Sequence, residues 1–300
     1  MTTNKINFSK YFKIANILSL SAVLISILFL FFKGLNYGVD FKGGTLLEIR
    51  IDNKNIQIQD IRSSLSMPEL GDVNVKQFGK EGDFLIKFEK NANENEKFIT
   101  TLKNTVSKKI GSEVNFRRVE TVGPKVSSEL LKQGLTAIAL ALGAMLFYIW
   151  IRFEWQFSLG SIIALVHDVV ITLGIFSILS FEVNLSIVAA VLTIVGYSMN
   201  DTVVIFDRIR ENLLKYSKIK TNEIADISVN ETLSRTVITS LTTLLALFSI
   251  FILGGEILKG FSFAMILGVI IGTYSSIFVA SPVLSYFKVT QETLLKDDNI

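Results

Sequence analysis

The chain has 300 residues, half of them hydrophobic, with 30 Lys plus Arg against 27 Asp plus Glu and a net charge of +3. Such apolarity excludes a disordered chain and argues against an ordinary soluble globule, while the many charged side chains exclude a membrane bundle with minimal loops. The absence of cysteine excludes a disulfide framework, a thiolate metal site and a cysteine nucleophile, and +3 is too small a charge to point to nucleic acid as a partner.

Residues 1–13 are basic, with Lys5, Lys10 and Lys13 and no acid. The uncharged apolar stretch 14–32 follows, with no small-residue cleavage site after it, which predicts an uncleaved membrane helix rather than a signal peptide. Residues 33–133 predict a small α+β domain. Within it 46–51 reads as a strand and 56–65 as a short amphipathic helix. Segments 73–78 and 84–88 alternate apolar and polar residues on either side of a turn at 79–82. Segment 95–110 carries Phe98, Leu102, Val106 and Ile110 on one helical stripe, and 114–119 closes the domain as a strand. This order is the split βαβ arrangement of ferredoxin-like domains, which returns the chain near its start. Gly123-Pro124 marks the return to the membrane.

Residues 134–287 hold five further apolar stretches: 134–151, 157–180, 185–206, 236–255 and 260–287. At about 1.5 Å per residue each crosses a hydrocarbon core of about 30 Å, allowing for tilt. Pro282 predicts a kink or terminus near the end of the last. The short flanks at 152–156 and 207–235 and the tail 288–300 are rich in Lys and Arg, whereas 181–184 and 256–259 hold only Lys259. The expectation is six spans, both termini cytoplasmic, and the 33–133 domain outside.

Only Asp168 and Asp201 are formally charged within these stretches. Each costs about 2.5–3.5 kcal/mol at mid-membrane on insertion scales, so two in adjacent helices favour function over mere packing. Counting from the stretch ends puts Asp168 about 16 Å deep and Asp201 about 8 Å deep. His167, the only histidine, precedes Asp168 and is expected as a neutral ring donating to a backbone carbonyl, with a proton-relay role as the sharper alternative. Asp201 lies in Gly196-Tyr197-Ser198-Met199-Asn200-Asp201-Thr202. There Gly196 permits close approach or a helix break, and Ser198, Asn200 and Thr202 offer hydrogen bonds to a carboxylate. Arg235 is the natural countercharge, and Thr239, Ser240, Thr242 and Thr243 supply hydroxyls for an interhelical network. Desolvation opposes a charged carboxylate and a nearby arginine favours it, the competition that a proton-switching site requires. Gly268 and Gly272 mark a packing face, and Arg208 and Arg210 are expected to meet anionic lipid or a cytosolic partner.

Several motifs resemble those of the SecF proteins of the SecD/SecF protein-export family. They are Gly38-Val39-Asp40-Phe41-Lys42-Gly43-Gly44-Thr45, Val122-Gly123-Pro124, His167-Asp168, the run from Gly196 to Arg208, Ser234-Arg235-Thr236, and the run from Thr239 to Leu245. The resemblance covers essentially the whole chain in order. It implies an RND-type six-helix bundle with one ferredoxin-like outer domain, in the bacterial inner membrane. It implies a proton-driven accessory subunit rather than an enzyme, with no cofactor and with protons as the coupling ion. Its implied partners are SecD, the SecYEG channel, the SecA motor, translocating preproteins and membrane lipid. The family's proton-site carboxylate falls on Asp201 and its functional arginine on Arg235; Gly38, Asp40, Phe41, Gly43 and Gly44 fall at the threshold of the outer domain, where a turn feeding the first strand is expected. A proton crossing 100 mV yields about 2.3 kcal/mol, enough to bias a two-state motion several tens-fold.

Three other readings compete. Half of an RND-type small-molecule or lipid exporter shares the bundle plan, though such proteins carry two large outer loops. An intramembrane aspartyl protease would use Asp168 and Asp201, but Ser198-Met199-Asn200 precedes Asp201 where that class has Gly-x-Gly. A pure scaffold would use both acids for packing alone.

Overall fold

The computed structural model describes residues 6–52, 56–67, 70–77, 81–89, 96–216 and 219–297. Lys5, Phe78, Gly79, Asn95 and Lys218, which belong to expected segments, lie outside the described residues. A 3₁₀ turn (Phe8–Tyr11) leads into α1 (Phe12–Phe32). Two short elements follow, β1 (Asn36–Tyr37) and α2 (Val39–Lys42). The α+β domain, labelled outer after its expected location, comprises β2 (Gly44–Ile51), α3 (Ile58–Ser64), β3 (Val73–Gln77), β4 (Asp83–Phe88), α4 (Glu96–Ile110) and β5 (Val114–Val122). Then come α5 (Pro124–Arg152), α6 (Trp155–Leu179), β6 (Glu182–Val183), α7 (Leu185–Lys215) and α8 (Thr221–Leu253). The chain finishes with α9 (Gly255–Ser275), a π-helical turn (Ser276–Ala280), α10 (Ser281–Tyr286) and α11 (Gln291–Asp297).

The outer domain has the expected element order. Its sheet runs β3-β4-β2-β5, antiparallel throughout. Period-two alternation sends Leu47, Ile49 and Ile51 of β2 and Phe84, Ile86 and Phe88 of β4 to one face. There they pack on Ile61 and Leu65 from α3 and Leu102 and Val106 from α4. The other sheet face carries no helix and looks toward the bundle.

Among the described residues six helices are long and apolar enough to cross a membrane. Half of the apolar window of α7 and 61% of that of the last helix are buried inside the chain, against 11% for α5 and 17% for α1 and α8. So α7 and α9–α10 form the interior, and α1, α5 and α8 offer their faces to lipid or to another protein. Helix α5 begins ten residues before the expected apolar core, because Pro124 at its first position starts the helix directly after β5. Helices α7 and α8 likewise extend beyond the membrane as polar helix, to Lys215 and from Thr221.

Gly268 and Gly272 set the α7–α9 contact as expected. A Cβ at Gly268 would overlap the Ile194 side chain, and one at Gly272 would meet Ser198 Cβ at 3.0 Å. Gly196 does neither thing expected of it. Helix α7 runs through it unbroken, and a Cβ there would meet nothing within 4 Å. Pro282 does not end the last span either, since helix continues to Tyr286. The π turn just before it widens the ladder, with Ser281 Oγ donating to Ser276 O at 2.9 Å.

Candidate functional site in the membrane bundle

The polar centre of the bundle is organised by one turn of α9. Successive helical residues point about 100° apart, so Thr273, Tyr274 and Ser275 face three different neighbours. Ser275 Oγ donates to Asp168 Oδ2 at 2.8 Å, and Ser198 Oγ of α7 donates to the same oxygen at 2.5 Å. Asp168 Oδ1 lies 2.8 Å from His167 Nδ1. The Asp168 carboxylate is 0% exposed and takes partners from α6, α7 and α9 at once. His167 is therefore held by its neighbouring carboxylate and not by a backbone carbonyl. Its ring stacks on Tyr274, with centroids 6.3 Å apart and planes at 24°. Tyr274 in turn donates to Ala15 O at 2.9 Å and lies 3.0 Å from Ser19 Oγ, which ties α1 to the centre.

Asp201 is differently placed. It is 3% exposed, Thr273 lies beside its carboxylate, and its Oδ2 is buried without a hydrogen-bond partner. Thr273 Oγ1 lies 2.8 Å from Ser240 Oγ on α8. Arg235 sits on the exposed face of α8, near enough to act on Asp201 through space, and no ion pair joins them among the described residues. Of the polar neighbours in sequence, Ser198 turns to Asp168 instead, Asn200 is exposed and Thr202 is buried. Ser198, which bonds Asp168, lies three residues before Asp201 on α7, so Asp201 sits about 5 Å nearer the end where α7 leaves the bundle, the order that the count along the sequence expects.

The two acids can thus do different things. Asp168 has hydrogen-bond partners on both oxygens and pins three helices. Asp201 keeps one oxygen without a partner and meets a hydroxyl that can donate or accept, which suits a group that gains and loses a proton. The sequence pattern identified Asp201 and Asp168 but missed Thr273, Tyr274 and Ser275. Their signal was the polar run Gly272-Thr273-Tyr274-Ser275-Ser276 inside an otherwise apolar span.

At the end of the bundle where α7 leaves it, Arg208 is committed to Glu231 and Glu211, both at 2.6 Å, and Arg210 pairs with Glu154 at 3.0 Å. These pairs form because acids from α7, α8 and the α5–α6 connection converge there. At the opposite end the Gly38–Thr45 motif does more than feed the first strand. β1 pairs in parallel with β6, and Gly38 N–H donates to Val183 O at 2.9 Å. Asp40 Oδ2 accepts from Leu185 N–H at 2.9 Å and so caps α7. Phe41 is buried against Phe176 and Ile187. Gly43 and Gly44 take φ of 80° and 115°, the left-handed region that lets the chain turn into β2. Lys87 of β4 forms an ion pair with Glu182 of β6. Burial and the neighbouring Lys76 push its ammonium down to about 8, with Asp40 pulling the other way. Between the open sheet face and the α6–α7 and α8–α9 connections lies a cleft of about 650 Å³, lined among others by Leu46, Leu85, Phe181 and Phe263 and by charges of both signs. Among the described residues no group of His, Asp and Glu is arranged to hold a metal ion.

Comparison with known proteins places these features together. The family model "Protein export membrane protein SecD/SecF, C-terminal" matches residues 102–290, and the "SecD/SecF GG Motif" matches residues 28–54. The protein translocase subunit SecF of Rickettsia rickettsii is 43% identical over 287 residues, 95% of this chain and 93% of the relative. That of Desulfurispirillum indicum is 44% identical over 278 residues, 90% of this chain and 88% of the relative. Crystalline SecDF from Thermus thermophilus, a translocon-associated membrane protein, superposes with TM-score 0.85 at 35% identity, over 95% of this chain and 39% of that one. SecDF in a super-membrane-facing form superposes with TM-score 0.71 at 33% identity, over 100% of this chain and 41% of that one. The chain therefore spans about two fifths of the length of the SecDF chains it resembles.

Proposed function

The chain belongs to the SecD/SecF family of protein-export membrane proteins, and we propose that it acts as the SecF-type subunit of a bacterial Sec preprotein translocase, driven by the proton-motive force. It sits in the inner membrane with both termini cytoplasmic and the outer domain periplasmic. It pairs with SecD and works with the SecYEG channel and the SecA motor on translocating preproteins. Several features support this reading. The exposed faces of α5 and α8 leave room for a second membrane subunit. The N-terminal segment, the start of α8 and the C-terminal tail share one end of the bundle, as the bonds from Ile6 N–H to Asn230 and from Gln291 to Leu214 O attest, and the outer domain occupies the other. Curated relatives of nearly equal length are protein translocase subunits, which disfavours half of a small-molecule exporter.

The observation that carries the proposal is Asp201: a carboxylate buried among the apolar spans beside Thr273, with Oδ2 left without a partner and Arg235 within electrostatic reach. A group so placed changes charge at a cost small enough for a membrane potential to supply. The test is export in membrane vesicles with and without an imposed proton gradient. Asp201→Asn should abolish the gradient-dependent stimulation while the subunit still co-purifies with SecD. Full stimulation by Asp201→Asn would remove it as the proton site.

A further inference from the structure

The cleft between the α+β domain and the bundle has a floor and a roof of different chemistry. Its floor is aromatic: Phe181 follows α6, Phe251 lies in the last turn of α8, and Phe261 and Phe263 lie on α9. All four stand where apolar spans end or begin. Directly after Phe251, Ile252 and Leu253 are 72% and 83% exposed, so the floor borders a strongly apolar surface at the end of a membrane helix. The roof is the helix-free face of the sheet. Its register aligns Lys76 of β3, Leu85 of β4, Glu48 of β2 and Arg118 of β5 in one row, with Lys87, Leu46 and Glu120 in the next.

Most of the charge around the cleft is already engaged. Lys87 pairs with Glu182, Arg118 with Glu120, and Asp40 caps α7. Among the described residues Lys76 and Glu48 make no hydrogen bond or ion pair. They lie on either side of Leu85, two strand spacings or about 10 Å apart between Cα atoms. The cleft therefore offers one uncommitted cation and one uncommitted anion above phenyl rings. A matching ligand carries an anion and a cation a few ångströms apart and an apolar part that continues into hydrocarbon. We propose that the cleft binds the headgroup of one zwitterionic aminophospholipid, of the phosphoethanolamine kind, with Lys76 donating to its phosphate and its ammonium donating to Glu48. The acyl chains leave past Phe251 along the exposed end of α8. The site requires only that the helices span a membrane and stands apart from the reading of Asp201. Its volume of about 650 Å³ falls within the about 300–1,000 Å³ usual for small-ligand sites. A headgroup with a phosphate alone would leave Glu48 facing a like charge. A polypeptide adding as a strand needs a sheet edge, and β2 and β4 at the centre of the roof are paired on both sides.

The test is lipid titration of the full-length protein in detergent, read by native mass spectrometry, with phosphatidylethanolamine and phosphatidylglycerol of identical chains. Wild type should bind the ethanolamine lipid about threefold or more tightly than the glycerol lipid, the scale of one partly exposed ion pair. Glu48→Gln should erase that preference, and Lys76→Gln should weaken both lipids. The preference is a ratio within one sample, so a partly misfolded variant does not shift it. Equal or tighter binding of phosphatidylglycerol by wild type, or a preference untouched by Glu48→Gln, would overturn the site. Location is read by placing the photo-reactive residue benzoylphenylalanine at position 85 in the full chain, reconstituted with its SecD partner in vesicles of both lipids. The expected product is an adduct of phosphatidylethanolamine mass. An adduct to polypeptide alone, or to the two lipids in proportion to their abundance, would overturn the proposal.

Discussion

Asp168 and Asp201 show how two identical side chains at comparable levels of the bundle take different parts. Asp168 accepts from Ser198 and Ser275 and contacts His167, so its hydrogen-bonding capacity is used to join α6, α7 and α9. Removing one of these partners leaves a buried acceptor short of a bond, at a cost of about 1–3 kcal/mol. Ser275→Ala is accordingly expected to lower the melting temperature of the detergent-solubilised protein while leaving proton uptake per folded complex close to wild type. Reduced uptake at unchanged stability would move Asp168 from the scaffold to the proton path. The sequence made both acids conspicuous because a charge inside an apolar run is costly and rare. It could not show which partner each acid would find. Ser275 lies over a hundred residues from Asp168, and the meeting depends on the rotational register of α9 against α6 and α7. The partners of Arg208 and Arg210 were hidden in the same manner: Glu231 and Glu154 sit on other elements.

Among the elements, the long apolar helices and the alternating strands were legible because each obeys a single period over many residues. The two-residue strands β1 and β6 were not, since no period exists in two residues, yet they join the outer domain to the bundle. Close packing of α7 on α9 was signalled by the glycine spacing and depends on it: Gly268→Val should cost about 1–3 kcal/mol through overlap with Ile194, seen as a lower melting temperature. The contact between β4 and β6 carries a pH signature. The Lys87 ammonium titrates at about 8 when docked against Glu182, below its usual 10.5. Between those two values the undocked domain holds more protons, so docking strengthens as pH rises through that window and loses this gain below about 8. Hydrogen exchange at the Gly38 amide, corrected for intrinsic rate, should slow relative to a Lys87→Met variant as pH rises from 8 to 10. Faster relative exchange over that range would show the opposite linkage.

The whole molecule couples an outer domain to a membrane carboxylate through α7. Asp40 caps the outer end of that helix, and Asp201 lies on it sixteen residues further along. A shift of the outer domain would therefore act on the helix that holds Asp201, the proposed proton site. Because the chain has no cysteine, Lys87→Cys with Glu182→Cys tests this directly. If the domain must move during export, joining the two thiols with a reducible bis-methanethiosulfonate linker should arrest gradient-driven export and reduction should restore it; export unaffected by the linker would mean that the docked state works as it stands. The most direct test of the central claim is proton uptake by the reconstituted complex, with Asp201→Asn and Asp168→Asn compared at equal amounts of folded protein. The account predicts that Asp201→Asn conducts no protons and that Asp168→Asn, per assembled complex, still does. Conduction by Asp201→Asn together with silence in Asp168→Asn would contradict it.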